Sequence, residues 1–145
     1  MFFVAAILSG CVAQPVRPVG AALPRPHHAA CANCVVGGRV FFDAGSSHLR
    51  RDAQVALREQ AAWLKRFTKV NIVIAGSGDE RDDEDHALAL GYERAYANRD
   101  FLVKMGVSIN RITVVSYGRE HPVVLGHGER ALARSRTATT FIPKT

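Results

Sequence analysis

Several features that would point directly to a function are missing from this sequence. Its 145 residues carry a formal net charge of +6, yet no run of five Lys or Arg residues occurs and the basic residues are scattered. Recognition of nucleic acid would require a clustered basic face with exposed aromatic residues, so we predict no nucleic-acid partner. After the first ten residues, no apolar segment is long enough to span a bilayer. At this length, one globular domain is expected.

Motifs for catalysis and for metal binding are also missing. No Ser or Cys nucleophile sits in a strand-to-helix elbow with a matching base, and no metal-ligand spacing is present. The acidic run from Asp82 to Asp85 does not match the calcium-loop pattern. It suits the positive end of a helix dipole, with a divalent-ion site as the alternative. We predict that the protein is not an enzyme and binds no cofactor or metal.

Cysteine is scarce, and the first of the three cysteines ends a distinctive pattern. An apolar run from Met1 to Gly10 closes with Leu8-Ser9-Gly10-Cys11, which resembles the bacterial lipobox. No basic residue precedes Phe2, although a signal peptide normally begins with a basic segment. The alternative is a buried N-terminal strand or helix with an incidental Cys. From this resemblance we predict a signal peptide over residues 1–10 and lipidation of Cys11. Several acyl chains on Cys11 would together give stable anchoring to a membrane.

Residues 11–38 have the composition of a tether. Pro15, Pro18, Pro24 and Pro26 lie among Ala, Gly, Val and Arg, with neither helical nor alternating periodicity. At about 3.1 Å per residue in polyproline-like geometry, such a segment reaches roughly 80 Å.

Cys31 and Cys34 lie near the end of this tether. A local disulfide or inert thiols are favoured over a redox motif, because no strand-to-helix context surrounds the pair. A metal site that includes the upstream His27 and His28 ranks last.

Residues 39–145 form the predicted globular domain. Strands are expected over residues 39–43, 70–75, 111–116 and 137–142, and helices over 49–67, 83–104 and 129–134. This order predicts an α+β fold (an α/β sandwich) with a mixed four-stranded sheet and two main helices on one face.

Both long helices have an apolar stripe. Ser46 or Ser47 is expected to cap the first helix, and Trp63 to lie in the core or at its edge, with a partner site as the alternative. Asn98 falls within the stripe of the second helix, so it is either buried with a partner or at a break in the packing. The stripe itself contains Leu88, Gly91, Ala95, Leu102 and Met105.

Asp79 and Arg94 stand at the turn that leads into the second long helix and about two turns inside it. A carboxylate and a guanidinium held apart suit a zwitterionic ligand, whose ammonium and carboxylate groups they would bind. Spacing alone favours a simpler interpretation, in which the acid caps the helix and the Arg is an unrelated surface residue.

Four groups of residues together resemble one known family. They are Phe42-Asp43 with Ser46-Ser47 and Leu49, Gly76 with Asp79-Glu80-Arg81, Leu90-Gly91 with Arg94-Ala95, and Val115-Ser116-Tyr117-Gly118 with Pro122-Val123. This combination is similar to the peptidoglycan-associated lipoproteins, which belong to the family sharing the C-terminal domain of outer-membrane protein A. The resemblance covers residues 39–142, and the lipobox and Pro-rich tether agree with it.

The resemblance implies non-covalent binding of the diaminopimelate-containing stem peptide of peptidoglycan. It places the family's ligand-binding Asp on Asp79 and its ligand-binding Arg on Arg94. By the same analogy, Val12 after the lipidated cysteine implies attachment to the bacterial outer membrane, with the domain in the periplasm. Further candidates for ligand contact are Asp43, Ser46, Glu80, Arg81 and Arg136.

The departures from the family are concentrated around this site. Asp82-Asp83 stands where similar lipoproteins have Gly-Thr, and His86-Ala87 where they have Tyr-Asn. Ser77 replaces a usual His or Tyr, and Gly45 a usual Asp.

Two functions therefore compete. The leading hypothesis is an outer-membrane lipoprotein that binds peptidoglycan and tethers the outer membrane to the cell wall. The alternative is a diverged structural component of a trans-envelope complex, such as a secretion system, with weak or no peptidoglycan binding. Expected partners are peptidoglycan, the outer membrane through the lipid anchor, and proteins of a Tol or secretion system.

Overall fold

The computed structural model describes residues 35–78, 83–119 and 128–143. The predicted order of strands and helices is confirmed, although the first strand begins at Val35 rather than at Arg39. The elements are β1 (Val35–Phe41), α1 (Arg51–Arg66), β2 (Ile72–Ser77), α2 (Glu84–Lys104), a 3₁₀ turn (Ile109–Arg111), β3 (Ile112–Gly118), α3 (Glu129–Ser135) and β4 (Thr137–Phe141).

The four strands form one mixed sheet in the order β1-β4-β2-β3. The β2 and β3 strands run parallel, as a crossover through α2 requires. The β4 strand lies antiparallel to both β1 and β2, so the last of the described strands is an inner one. The predicted mixed four-stranded sheet is confirmed.

The core lies between this sheet and the two long helices. Ile72 and Ile74 are both almost fully buried and alternate along β2, so they point to the same face of the sheet. The cluster that contains them also includes Leu64 of α1 and Leu102 of α2, which places both helices on that face. Trp63 belongs to the same cluster, with its ring 4.8 Å from that of Phe67, so its expected core position is confirmed.

The backbone of α2 rests directly on the sheet. A Cβ atom added at Gly76 would overlap the carbonyl oxygen of Gly91, and one at Gly91 would overlap Oγ of Ser116. The Ser116 hydroxyl also donates a hydrogen bond to the carbonyl oxygen of Leu88 at 2.7 Å. Glycine at positions 76 and 91 is therefore required by close approach of the two backbones.

Two expectations about the helices are wrong. Leu88 is 42% exposed, because the small residues Ala87 and Gly91 take the positions nearest the sheet and turn Leu88 outward. The N-cap of α1 is Arg50, which makes no side-chain cap bond. Ser46 is not the cap, because its hydroxyl oxygen accepts a hydrogen bond from the backbone N–H of His48 within the preceding loop.

Asn98 was expected either to be buried with a partner or to lie at a break in the packing, and the structure buries it without a described hydrogen-bond partner. It is fully buried, and neither its amide nitrogen nor its amide oxygen has a hydrogen-bond partner in the part of the chain that the structure describes. The same holds for Gln60 of α1.

Within residues 35–78, 83–119 and 128–143, no helix is both long and apolar enough to cross a membrane.

Candidate functional site

Arg94 is the centre of the candidate site. Its side chain is fully buried, and three of its N–H groups donate to backbone carbonyl oxygens. Nε reaches Ser46 at 2.9 Å, Nη1 reaches Ser77 at 2.7 Å, and Nη2 reaches Asp43 at 3.1 Å. The guanidinium thus joins α2 to the loop after β1 and to the last residue of β2. The alternative of an unrelated surface Arg is wrong.

A tight turn presents two of these carbonyl groups. The backbone N–H of Ser46 donates to the carbonyl oxygen of Asp43 at 3.2 Å, which closes the turn. Gly45 within it has φ +61°, in the left-handed region that Gly adopts freely and that Asp tolerates better than most residues. The replacement of the family's usual Asp by Gly at this position therefore preserves the turn.

Phe42 supports the guanidinium from the side. Its ring centroid lies 5.4 Å from Cζ of Arg94, which is within the range of a cation–π contact. The backbone N–H of Phe42 donates to the carbonyl oxygen of Arg136 at 2.9 Å. Arg136 is itself almost fully buried between α3 and β4. The predicted residues Asp43, Ser46, Arg94 and Arg136 are therefore brought to the same end of the sheet.

The carboxylate of Asp43 lies on the exposed rim of the site. It accepts a hydrogen bond from Nη1 of Arg50 at 3.2 Å, and the same guanidinium binds Asp52 through Nη2 at 2.6 Å. The hydrogen bond to Asp52, followed by the one to Asp43, raises the pKa of Arg50. The hydrogen bond from Arg50 lowers the pKa of Asp52 below its usual value. Asp43 therefore contributes a backbone oxygen to Arg94 and a charge to the rim.

The start of α2 explains two departures from the family pattern. Asp83 is the N-cap, and its carboxylate accepts a hydrogen bond from the backbone N–H of His86 at 2.9 Å. Thr, the usual residue there, is also a good N-cap, so the capping role is kept. Ala87 is fully buried, and a Cβ atom added at Gly78 would lie 2.9 Å from its Cβ. Ala87 therefore packs against the end of β2.

The remaining predicted site residues belong to segments outside residues 35–78, 83–119 and 128–143. Asp79, Glu80, Arg81 and the divergent Asp82 lie outside the described residues, as do the predicted lipidation site Cys11 and the pair Cys31 and Cys34. In the described parts, no group of three or more His, Cys, Asp or Glu side chains is arranged to hold a metal ion.

Sequence reasoning missed the part that Ser77 plays. Its side chain was noted only as a departure from the family, whereas its carbonyl oxygen takes the shortest of the three described hydrogen bonds from Arg94. Every residue carries a carbonyl group, so no sequence signal distinguishes a residue that acts through its backbone.

Comparison with known proteins identifies the family to which this chain belongs. The model of the OmpA family matches residues 41–136, which include Asp43, Ser46, Ser77, Arg94 and Arg136. The chain belongs to the OmpA family. Within that family, its named relatives include peptidoglycan-associated lipoproteins, so the resemblance seen in the motifs is confirmed.

Two such relatives and one solved structure show the extent of the similarity. The peptidoglycan-associated lipoprotein of Brucella melitensis is 37% identical over 97% of this chain and 88% of its own length. That of Mesorhizobium japonicum is 41% identical over 85% of this chain and 73% of its own. The crystal structure of the peptidoglycan-associated lipoprotein from Burkholderia pseudomallei matches with a TM-score of 0.70 and 38% identity, covering 72% of this chain and 88% of that one.

A more distant structure shares the fold alone. The C-terminal domain of Helicobacter pylori MotB has a TM-score of 0.67 at 20% identity, covering 74% of this chain and 84% of that domain. The predicted fold class is confirmed by these structures together. The relatives are lipoproteins by name and not enzymes, in agreement with the prediction that this protein is not an enzyme.

Proposed function

We propose that this protein is an outer-membrane lipoprotein whose periplasmic OmpA-like domain binds peptidoglycan without a covalent bond. We further propose that it holds the diaminopimelate stem peptide next to Arg94. The names of the relatives support the first statement. The observation that carries the second is the buried guanidinium fixed by three carbonyl oxygens.

The fixed guanidinium lies close to where Asp79 must follow. Ser77 accepts the hydrogen bond from Nη1, and Asp79 is two residues further along the chain. Two residues span at most about 7 Å, so the chain keeps the backbone of Asp79 within that distance of Ser77 and allows its carboxylate to approach the guanidinium. The free end of a diaminopimelate side chain carries an ammonium and a carboxylate group. Asp79 would bind the ammonium group and Arg94 the carboxylate, with the guanidinium at the floor of the site.

The three carbonyl partners make this an ordered site. A guanidinium is planar and presents its N–H groups in fixed directions, so three acceptors from one loop and the end of β2 leave it little freedom to turn. A ligand carboxylate would therefore meet donors that are already oriented, which lowers the entropy cost of binding. Asp43 and Ser46 contribute by orienting Arg94. We propose that Glu80, Arg81 and Arg136 complete the surroundings of the ligand.

The described departures from the family support retained wall binding over the alternative of a diverged structural component. Asp83 keeps the cap, Gly45 keeps the turn, and Ala87 packs against Gly78. All three are compatible with the backbone on which the site depends. Attachment through a lipid on Cys11 completes the proposal, with the tether shortened from the predicted residues 11–38 to residues 11–34, because β1 begins at Val35. Partners from a Tol or secretion system are part of the same proposal.

A pull-down with purified sacculi tests the function. We expect the full chain to be retained and to be released by free diaminopimelate-containing tripeptide. Asp79→Asn removes only a charge, so it is a cleaner test than an Arg94 variant, which would also lose the hydrogen bonds to the loop after β1 and to the end of β2. Glu59→Gln, a change that also removes only a charge from an exposed acid, here on α1, is the matched control and should be retained. Equal retention of the wild type and Asp79→Asn would contradict the proposed site. Absence of retention in the wild type would favour the structural alternative.

Lipidation is tested separately in cells. Incorporation of labelled palmitate should be lost in Cys11→Ser, while Cys31→Ser should keep it. Labelling that survives Cys11→Ser would exclude the proposed anchor.

A further inference from the structure

One flank of α2 exposes an unusual number of large apolar side chains. Leu88, Tyr92, Tyr96 and Val103 are between 36% and 42% exposed. The first three follow one another at intervals of four residues, so they lie on the same side of the helix. We call Leu88, Tyr92 and Tyr96 the tyrosine ladder. Exposed apolar side chains that lie next to one another, unlike singly scattered ones, can mark a place where something binds.

The tyrosine ladder is ordered before any ligand arrives. The rings of Tyr92 and Tyr96 are stacked, with centroids 6.0 Å apart and planes inclined by 23°. Cζ of Arg99 lies 4.5 Å from the centroid of Tyr96, and Asp100 holds Arg99 through Nε at 2.9 Å and Nη2 at 2.7 Å. Rings that are already fixed lose little conformational entropy on binding.

The ladder begins beside the candidate site. Leu88 accepts the hydrogen bond from Ser116, and a Cβ atom added at Gly118 would lie 3.4 Å from the backbone nitrogen of Leu88. Gly118 in turn accepts a hydrogen bond from the backbone N–H of Gly78 at 2.8 Å, and Asp79 follows Gly78 directly. A continuous path therefore leads from the end of β2 across the end of β3 to the first rung of the ladder.

We propose that the tyrosine ladder binds the glycan strand of peptidoglycan while the stem peptide occupies the site at Arg94. This inference rests on the proposed function, because it places the second component of the same polymer. The stem peptide is attached to a sugar, and diaminopimelate is its third residue. Three extended residues span at most about 11 Å, so the sugar must lie close to the peptide site.

The chemistry of the ladder suits a sugar strand. A sugar ring presents C–H groups on its faces and hydroxyl groups around its rim. Tyrosine offers an apolar ring with a hydroxyl group at its tip, so one residue can match both kinds of group. From Leu88 to Tyr96 the helix rises about 12 Å, which is long enough for more than one sugar ring.

Paired ligands separate this inference from the proposed function. One ligand is the free stem tripeptide that ends in diaminopimelate, and the other is the same tripeptide still attached to its disaccharide. Calorimetry would compare the full-length wild type with the double variant Tyr92→Ser/Tyr96→Ser. Val55→Ser, at a 53% exposed position on α1, is the matched control. Thermal unfolding would check that each variant remains folded, as expected for substitutions on the surface.

We expect the wild type to bind the disaccharide-bearing ligand about fivefold or more tightly than the free tripeptide, or about 1 kcal/mol. The double variant should lose this preference and keep its affinity for the free tripeptide, and Val55→Ser should keep both. Equal affinity of the wild type for the two ligands would overturn the inference and leave the proposed function intact. Equal weakening of both ligands in the double variant would also overturn it, because the role would then be structural.

Two other outcomes would also count against the inference. If the wild type binds neither ligand, both the proposed function and the proposal that the tyrosine ladder binds glycan are wrong. If the double variant keeps the sugar preference but changes the molar mass in solution, measured by light scattering, the ladder is a self-association surface instead.

Discussion

Nη1 of Arg94 donates a hydrogen bond of 2.7 Å to the carbonyl oxygen of Ser77, and so joins the middle of α2 to the last residue of β2. Because the same guanidinium also holds Asp43 and Ser46, one side chain sets the relative positions of three segments. Stability and the proposed ligand binding are therefore linked at this residue.

We expect Arg94→Lys to lower the free energy of unfolding by about 2–4 kcal/mol, because one ammonium group cannot reach three carbonyl oxygens in different directions. Urea unfolding would measure the change. Arg51→Lys, at an exposed position in the first turn of α1, should change stability little. A fully stable Arg94→Lys variant would show that the three hydrogen bonds do not contribute as described.

Arg111 performs a similar task at the other end of the domain. Nε, Nη1 and Nη2 donate to the carbonyl oxygens of Val70, Leu64 and Phe67 at 2.8, 3.0 and 2.7 Å. Burial lowers the pKa of this guanidinium, but the group remains protonated near neutral pH. We expect Arg111→Met to cost about 3 kcal/mol, since the carbonyl groups at the end of α1 lose a charged donor.

Thermal and urea unfolding of Arg111→Met would give this value, with Arg66→Met as the exposed control in the same region. Because Arg111 lies at the opposite end of β3 from Gly118, the folded fraction of the variant should still be retained on sacculi. Loss of retention at a temperature where the variant is folded would contradict the separation of the two ends.

Gly91→Ala tests the contact between α2 and the sheet. An added Cβ atom would overlap the hydroxyl oxygen of Ser116, and overpacking of this kind costs about 1–3 kcal/mol in spite of alanine's higher helix propensity. Removal of the hydroxyl in Gly91→Ala/Ser116→Ala should recover part of the loss. If the two changes were simply additive in a double-mutant cycle, the described contact would be incorrect.

Asp83 offers a milder test at the start of α2. We expect Asp83→Ala to cost about 1 kcal/mol, because the backbone N–H of His86 loses its acceptor, and Asp83→Thr to cost less, because Thr can cap as well. Thermal unfolding would rank the three proteins. A Thr variant no more stable than the Ala variant would indicate that charge near the helix dipole, rather than the hydrogen bond, is what matters.

The sequence predicted the elements well because their periodicities are local. The apolar run from Val70 to Ala75 and the helical spacing of Leu57, Ala61 and Leu64 follow from the residues themselves. The prediction that Leu88 is buried is wrong, because an apolar stripe defined by hydrophobicity alone takes no account of how closely the helix backbone approaches the sheet. Gly91 and Ala87 allow α2 to lie on the sheet through its small residues, and this rotates Leu88 to the surface.

The candidate site was only partly predictable for a different reason. The motifs identified Arg94, but spacing alone placed it on the surface, because charged residues are seldom fully buried. Its burial depends on carbonyl groups that come from residues 48 and 51 positions away in the chain. Such partners have no side-chain signature, so their arrangement appears only in the folded chain.

The position of β4 has a consequence for how the domain is made. Among the described strands, β1 pairs only with β4, and β4 is also the partner that joins it to β2. During synthesis, β1 therefore waits for residues about a hundred positions later before it can enter the sheet. A chain interrupted before Thr137 would have its first strand without a neighbour. A sheet built in this way stays open along one seam until β4 has been made.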